Sequence, residues 1–175
     1  MPILIAFFSM NGETMGPDMN LITIAKGYNA AAAEFIQEAI GGDLFEIEPA
    51  KPYSRSHEKL IEEAKYEQEN NIHHEIKRYP ENMDRYDTIF LCYPNWWSVL
   101  PMPVVTFLEN IDWTGKTIIP FSTSDGSGAG GTRQEIISLC KGAMVKKVFE
   151  IRGYEVDDSK RKIQDWAITM IRNNT

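Results

Sequence analysis

Cysteine is scarce in this chain. Cys92 and Cys140 are the two it has, far apart and with no CxxC, so neither a disulfide framework nor a thiolate metal site is spelled out. Both fall in apolar surroundings and read as buried free thiols, which suits a reducing compartment and an expected place in the cytoplasm. Long apolar runs are missing too. The N-terminal run Ile3 to Phe8 is too short for a signal segment and lacks a basic flank, and no stretch is long enough to span a bilayer. Basic residues are in deficit: 18 Lys and Arg against 25 Asp and Glu leave a net charge of −7. That balance argues against a nucleic-acid or membrane-surface binder, and predicts that any protein partner docks through a basic face. Neither GxGxxG nor GxxxxGK[ST] occurs. His73-His74-Glu75 lies at the end of a polar helix with no third ligand in view and reads as a solvated face rather than a metal site. No Ser/His/Asp arrangement can be assembled.

What is present is ordinary in amount and ordered in pattern. With 175 residues, 43% apolar and 25% charged, the chain reads as one globular domain, residues 1–175. Ile3 to Phe8 is an unbroken apolar run, the mark of a strand covered on both faces. The polar stretch from Met10 to about Tyr28, with Pro17 inside it, reads as a long loop. A helix over 29–40 follows, with Ala32, Phe35, Ile36, Ala39 and Ile40 on one face, Asn29 as its N-cap and Gly41-Gly42 as its stop. Leu44 to Pro49 is a short alternating strand near a sheet edge, and Ser56 to about Ile72 a polar surface helix. Ile89 to Tyr93 forms a third strand, buried on both faces and closed by Pro94. An apolar helix starts at Pro103. Thr117 to Ser122 reads as a strand despite Pro120, and Thr132-Arg133-Gln134-Glu135 has the spacing of a capping box opening a helix through Cys140. A last strand falls within Val145–Ile151, and a closing helix runs from Ser159 to Ile171. Five strand–helix alternations imply an α/β fold: a doubly wound five-stranded parallel sheet with helices on both faces and right-handed crossovers.

Polarity and length are concentrated in three loops, after the first, third and fourth strands. In a sheet of order 2-1-3-4-5 all three meet at the switch point, where open α/β sheets bind ligands. In the first loop, Ser9 and Asn29 offer donors beside a helix N-terminus suited to an anion, and Gly27 permits close backbone approach. The same residues also read as a plain turn and cap. In the second, Trp96 and Trp97 are adjacent, so one is expected inward and the other facing a flat ligand or a partner. The third, Thr123 to Gly131, is rich in Gly, Ser and Thr and can present backbone N–H groups, or simply turn the chain.

Three segments together are similar to the flavodoxin-like family over nearly the whole chain. They are Phe7-Phe8-Ser9, then Tyr93-Pro94-Asn95-Trp96-Trp97 with Leu100-Pro101-Met102-Pro103, then Pro120 through Gly128. The chain looks like the bacterial subgroup whose phosphate loop is lengthened before the first helix. This resemblance implies an FMN cofactor. Its phosphate would fall to Ser9, Met10, Asn11, Gly27, Tyr28 and Asn29, and its ring to Tyr93, Pro94, Asn95, Trp96 and Trp97 on one side and Thr123, Ser124, Asp125, Gly126, Ser127 and Gly128 on the other. The family's usual Gly-Asn-Thr before the first helix is here Gly27-Tyr28-Asn29, so the Thr hydroxyl is absent and the Asn29 amide stands in as a donor. Three functions stay open: a carrier serving a redox partner protein, an NAD(P)H-dependent quinone or nitro reductase serving a small-molecule electron acceptor, and a binding protein that has lost FMN. The chain is expected as a monomer or homodimer.

Overall fold

The computed structural model describes residues 2–173. Its frame is one parallel sheet. Numbered along the chain, the strands of that sheet are β1 (Ile3–Phe7), β4 (Asp43–Glu46), β5 (Thr88–Pro94), β6 (Thr117–Ser124), β7 (Met144–Val145) and β8 (Phe149–Arg152). They lie in the order β4-β1-β5-β6, with β7 and β8 both pairing to the outer side of β6, and every pairing is parallel. This is the expected 2-1-3-4-5 order, with the fifth position split in two. The helices are α1 (Tyr28–Ile40), α2 (His57–Glu69), α3 (Met102–Glu109), α4 (Thr132–Leu139) and α5 (Lys160–Arg172).

Side-chain alternation along β5 explains its unbroken apolar run. Ile89, Leu91 and Tyr93 join a core with α3 and α4, while Phe90 and Cys92 join a second core with α1 and α5. Each large side chain fully buried in these cores contributes about 1.5–3 kcal/mol of transfer free energy. α3 is buried from Met102 through Leu108, which holds the preceding Trp-Trp loop on a rigid support.

Four local expectations are corrected. The stretch Met10–Tyr28 is not an unstructured loop: it folds into an antiparallel hairpin, β2 (Gly12–Met15) and β3 (Leu21–Ile24), which forms a two-stranded sheet of its own. α1 begins at Tyr28, with Gly27 as N-cap and no side-chain cap, so Asn29 lies inside the helix. The capping box does not form: Gly131 is the N-cap, the Thr132 hydroxyl donates to Ala129 O, and Glu135 accepts from the Leu100 N–H instead. The last strand is interrupted between Val145 and Phe149, which also explains Pro120. Ile118, of the same parity, turns its carbonyl to Lys146 N at 2.9 Å on the fifth-strand side. The missing N–H of Pro120 therefore faces the gap in that strand, where no ladder bond is lost.

Candidate functional site

β1 ends where Phe8 N donates to Cys92 O at 2.9 Å, and the chain then leaves the sheet at Ser9. The Ser9 hydroxyl accepts from Ala30 N at 3.0 Å, a cap delivered from across the loop. Gly27 makes this approach possible: a Cβ there would lie 2.0 Å from Ser9 Oγ and 2.5 Å from Met10 O. Ala31 N bonds Gly27 O. Among the described residues this leaves the N–H groups of Tyr28 and Asn29 open at the helix N-terminus, where the dipole favours an anion. Asn29 is buried, and its amide donates to Thr123 Oγ1 at 2.8 Å, tying α1 to β6. The Tyr28 ring lies against Gly153, and burial, with Asp157 and Asp125 nearby, raises its phenol above the usual range.

The second loop is held by the third. Asn95 N donates to Thr123 O at 2.7 Å and its amide to Gly128 O at 2.5 Å. Gly131 N donates to Ser98 O, and a Cβ on Gly130 would lie 2.6 Å from Ser98 Cα. Left-handed φ values of 53° and 65° at Trp97 and Ser98 make a tight turn closed by paired Trp96–Val99 backbone bonds. The turn separates the two indoles. Trp96 packs edge-on against Phe8 and Tyr53, at 5.4 and 5.5 Å between ring centres, and Trp97 stays 48% exposed. In the third loop Ser124 Oγ accepts from the N–H groups of Gly126 and Gly128.

These loops enclose a cavity of about 430 Å³ at the carboxyl ends of β1, β5 and β6, within the roughly 300–1,000 Å³ usual for small-molecule sites. Of the candidate residues, Ser9, Met10, Tyr28, Asn29, Pro94, Asn95, Trp96, Trp97, Thr123, Ser124, Asp125 and Ser127 line it. Five other candidates stand off the wall. Tyr93 points into the core, its hydroxyl on Thr132 Oγ1, because strand alternation turns it away from Pro94. Asn11 bonds Ala25 O across the base of the hairpin. Gly27 sits behind Ser9, and Gly126 and Gly128 serve the third loop's own bonds.

Sequence reasoning missed a whole wall: Glu13, Thr14 and Ile24 of the hairpin and His57, Leu60, Ile61 and Ala64 of α2. Glu13 joins these two elements by accepting His57 N at 3.0 Å. The β-branched run Ile22-Thr23-Ile24 was the available signal for the hairpin. The His73–Glu75 stretch is not a plain solvated face. His73 pairs with Glu109, and His74 sits against the buried Glu67. No cluster of side chains among the described residues is suited to a metal ion.

A doubly wound sheet with a cavity at its switch point, walled by indoles and an open helix N-terminus, has the form that suits a flat, phosphate-bearing cofactor. The chain belongs to the flavodoxin family: the flavodoxin family model matches residues 2–170. Among solved structures it is similar to a proposed flavoprotein of Bacteroides eggerthii, at 29% identity over 93% of this chain and 97% of the other, TM-score 0.70. A second, from Bacteroides uniformis, shares 25% identity over 94% and 96% of the two chains, TM-score 0.71. A flavoprotein of Lactobacillus acidophilus, solved in complex with FMN, shares the fold at 21% identity over 90% and 97%, TM-score 0.65. No match was found among curated proteins. FMN is the cofactor of flavodoxins.

Proposed function

We propose that this chain holds FMN in the 430 Å³ cavity and carries electrons through it to a redox partner. The observation that carries the reading is a pair of side-chain oxygens in the cavity wall. Asn29 Oδ1 and Asn95 Oδ1 are buried and have no hydrogen-bond partner among the described residues. A buried acceptor left unpaired costs about 1–3 kcal/mol, and FMN brings the donors, in its ribityl hydroxyls and its ring N–H. The open N–H groups of Tyr28 and Asn29 suit its phosphate, and Trp96 and Trp97 suit the ring. The altered Gly27-Tyr28-Asn29 segment therefore fits the cofactor: backbone donors replace the lost hydroxyl, while the Asn29 amide itself is committed to Thr123.

When bound, FMN supplies the redox chemistry, and the protein supplies binding, orientation and electrostatics. Among the described residues no Lys or Arg lines the cavity, whereas Glu13 and Asp125 do. Negative side chains here, on a chain of net charge −7, disfavour an anionic reduced flavin and lower its potential. A second reading, reduction of a small acceptor, is favoured by the apolar bank of Leu60, Ile61 and Ala64, which gives a small quinone or nitro compound a surface beside the ring. The two free cysteines, both buried, agree with the cytoplasm as the compartment we assign.

The test is the visible absorption spectrum of the protein after addition of FMN and gel filtration. Retained flavin bands support the reading, and a colourless protein makes it a flavodoxin-fold binder without FMN. With flavin retained, NADPH consumption in the presence of a quinone marks a reductase, and its absence a carrier.

A further inference from the structure

Beneath the indole wall lies a cluster of titratable side chains that electron carriage leaves unused. Tyr53, between β4 and α2, is buried, and its hydroxyl donates to Glu67 Oε2. Glu67, on α2, is 8% exposed, and its other oxygen lies 2.5 Å from Nε2 of His74, beyond the end of the helix. The Tyr53 ring meets three others edge-on: Phe8 at 6.2 Å, His74 at 5.9 Å and Trp96 at 5.5 Å. Gln68, the next residue of α2, donates to Trp96 O at 3.0 Å. Adjacent residues of one helix thus grip the Trp96 loop twice, at its ring through Tyr53 and at its carbonyl through Gln68.

The surrounding charges are otherwise engaged. Glu63, one turn earlier on α2, accepts Ser54 N and lies near enough to Tyr53 to oppose its ionisation; His73 pairs with Glu109 of α3. Burial, with Glu67 beside it, drives the Tyr53 phenol far above its ordinary range, so it remains a hydrogen-bond donor at every physiological pH. A buried carboxylate is costly unless its charge is matched, and the His74 ring lies against Glu67. His74 Nε2 has no aligned hydrogen bond among the described residues, so what the ring does to Oε1 depends on its charge. A protonated ring attracts Oε1; a neutral ring that turns its lone pair toward Oε1 repels it.

We propose that Glu67 is a positioning residue for the Trp96 wall of the cofactor cavity, acting through Tyr53 and α2, and that the charge on His74 sets how firmly it holds that wall. The consequence for FMN rests on the function proposed above; the coupling itself is a property of the protein without cofactor.

The experiment follows the Trp96 indole N–H cross-peak in ¹⁵N–¹H spectra of the cofactor-free protein, assigned by Trp96→Phe, from about pH 5 to about pH 8, the range where imidazoles titrate. The expected result is a single transition that disappears in His74→Gln and in Glu67→Gln, persists in His73→Gln, and flattens in Tyr53→Phe. A cross-peak that does not move in the wild type, or a transition that survives His74→Gln, overturns the proposal. His74→Gln changes a partly exposed side chain and keeps the test open if Glu67→Gln fails to fold. The second readout is the FMN dissociation constant over the same range. Relative to His74→Gln, in which the FMN phosphate titrates in the same way, it should rise at least about fivefold toward high pH, the low end of usual couplings between linked sites. Equal pH dependence in the two proteins overturns the role at the cofactor site. Absence of FMN binding at any pH would defeat the proposed function instead, and the spectra would decide the coupling alone.

Discussion

Gly27 shows how much of a site can depend on one missing side chain. Its φ of −65° is open to any residue, so the demand is for space and not for backbone freedom. Gly27→Ala must displace Ser9 and Met10, since the new Cβ falls 2.0 Å from Ser9 Oγ. The expected cost is about 1–3 kcal/mol of stability by overpacking, with a loss of FMN affinity as the Ser9–Ala30 bond opens; urea unfolding and an FMN titration measure the two. The indoles separate by the same reasoning. Trp96→Ala removes a ring packed on Phe8 and Tyr53 and should cost about 3 kcal/mol. Trp97→Ala, at a half-exposed turn position, should stay within about 0.5 kcal/mol of the wild type yet change the fluorescence of bound flavin. Equal stability losses in the two variants would refute this division. That one Trp would face inward was legible from their adjacency. Which one was not, because it depends on the left-handed turn at Trp97 and Ser98.

At the scale of elements, the hairpin is the part of the site built outside the main sheet. β2 and β3 bond to each other and to no strand of that sheet, while Glu13, Thr14 and Ile24 face the cavity and Glu13 holds the first residue of α2. Replacing residues 12–24 by a short Gly-Ser linker should therefore leave the far-ultraviolet circular dichroism of the helices nearly intact. The same change should raise the FMN dissociation constant at least about tenfold, equivalent to 1.4 kcal/mol. Unchanged affinity would remove the hairpin from the site. The split of β7 and β8 belongs to this scale too. Pro120 looked awkward for a central strand only because a continuous fifth strand was assumed beside it.

The whole molecule ties its thiols and one carboxylate to the folded state. Cys92 is fully enclosed, and burial pushes the Cys140 thiol up to about 12, so neither forms thiolate at neutral pH. Both should resist an aromatic disulfide reagent in the native protein and react as urea unfolds it; rapid labelling of either before unfolding would contradict the packing. Glu135 is also raised, first by burial, with the Leu100 N–H partly offsetting it. Its folded form thus keeps a proton to higher pH than the unfolded chain. The stability this lends is complete below the unfolded carboxylate value of about 4.3 and is lost as pH rises through the folded value. Glu135→Gln keeps an acceptor for Leu100 but cannot ionise, so the variant should gain on the wild type as pH is raised from about 4 to 7. Urea unfolding at several pH values checks the sign.

The apolar runs at Ile3–Phe8 and Ile89–Tyr93, the helical stripes and the punctuation between them determined the doubly wound parallel sheet, while the order of its strands is a matter of contacts between segments. The runs and stripes are local patterns, and burial on both faces leaves a parallel strand only one way to read. The same patterns marked the three loops at the switch point. Tertiary structure alone decided which side chains those loops turn inward. Tyr93 goes to the core by strand parity, the Asn29 amide goes to Thr123, and Glu13 and His57 come together from segments 44 residues apart. A side chain's direction and its distant partner are set by contacts between segments, and no single segment carries that information.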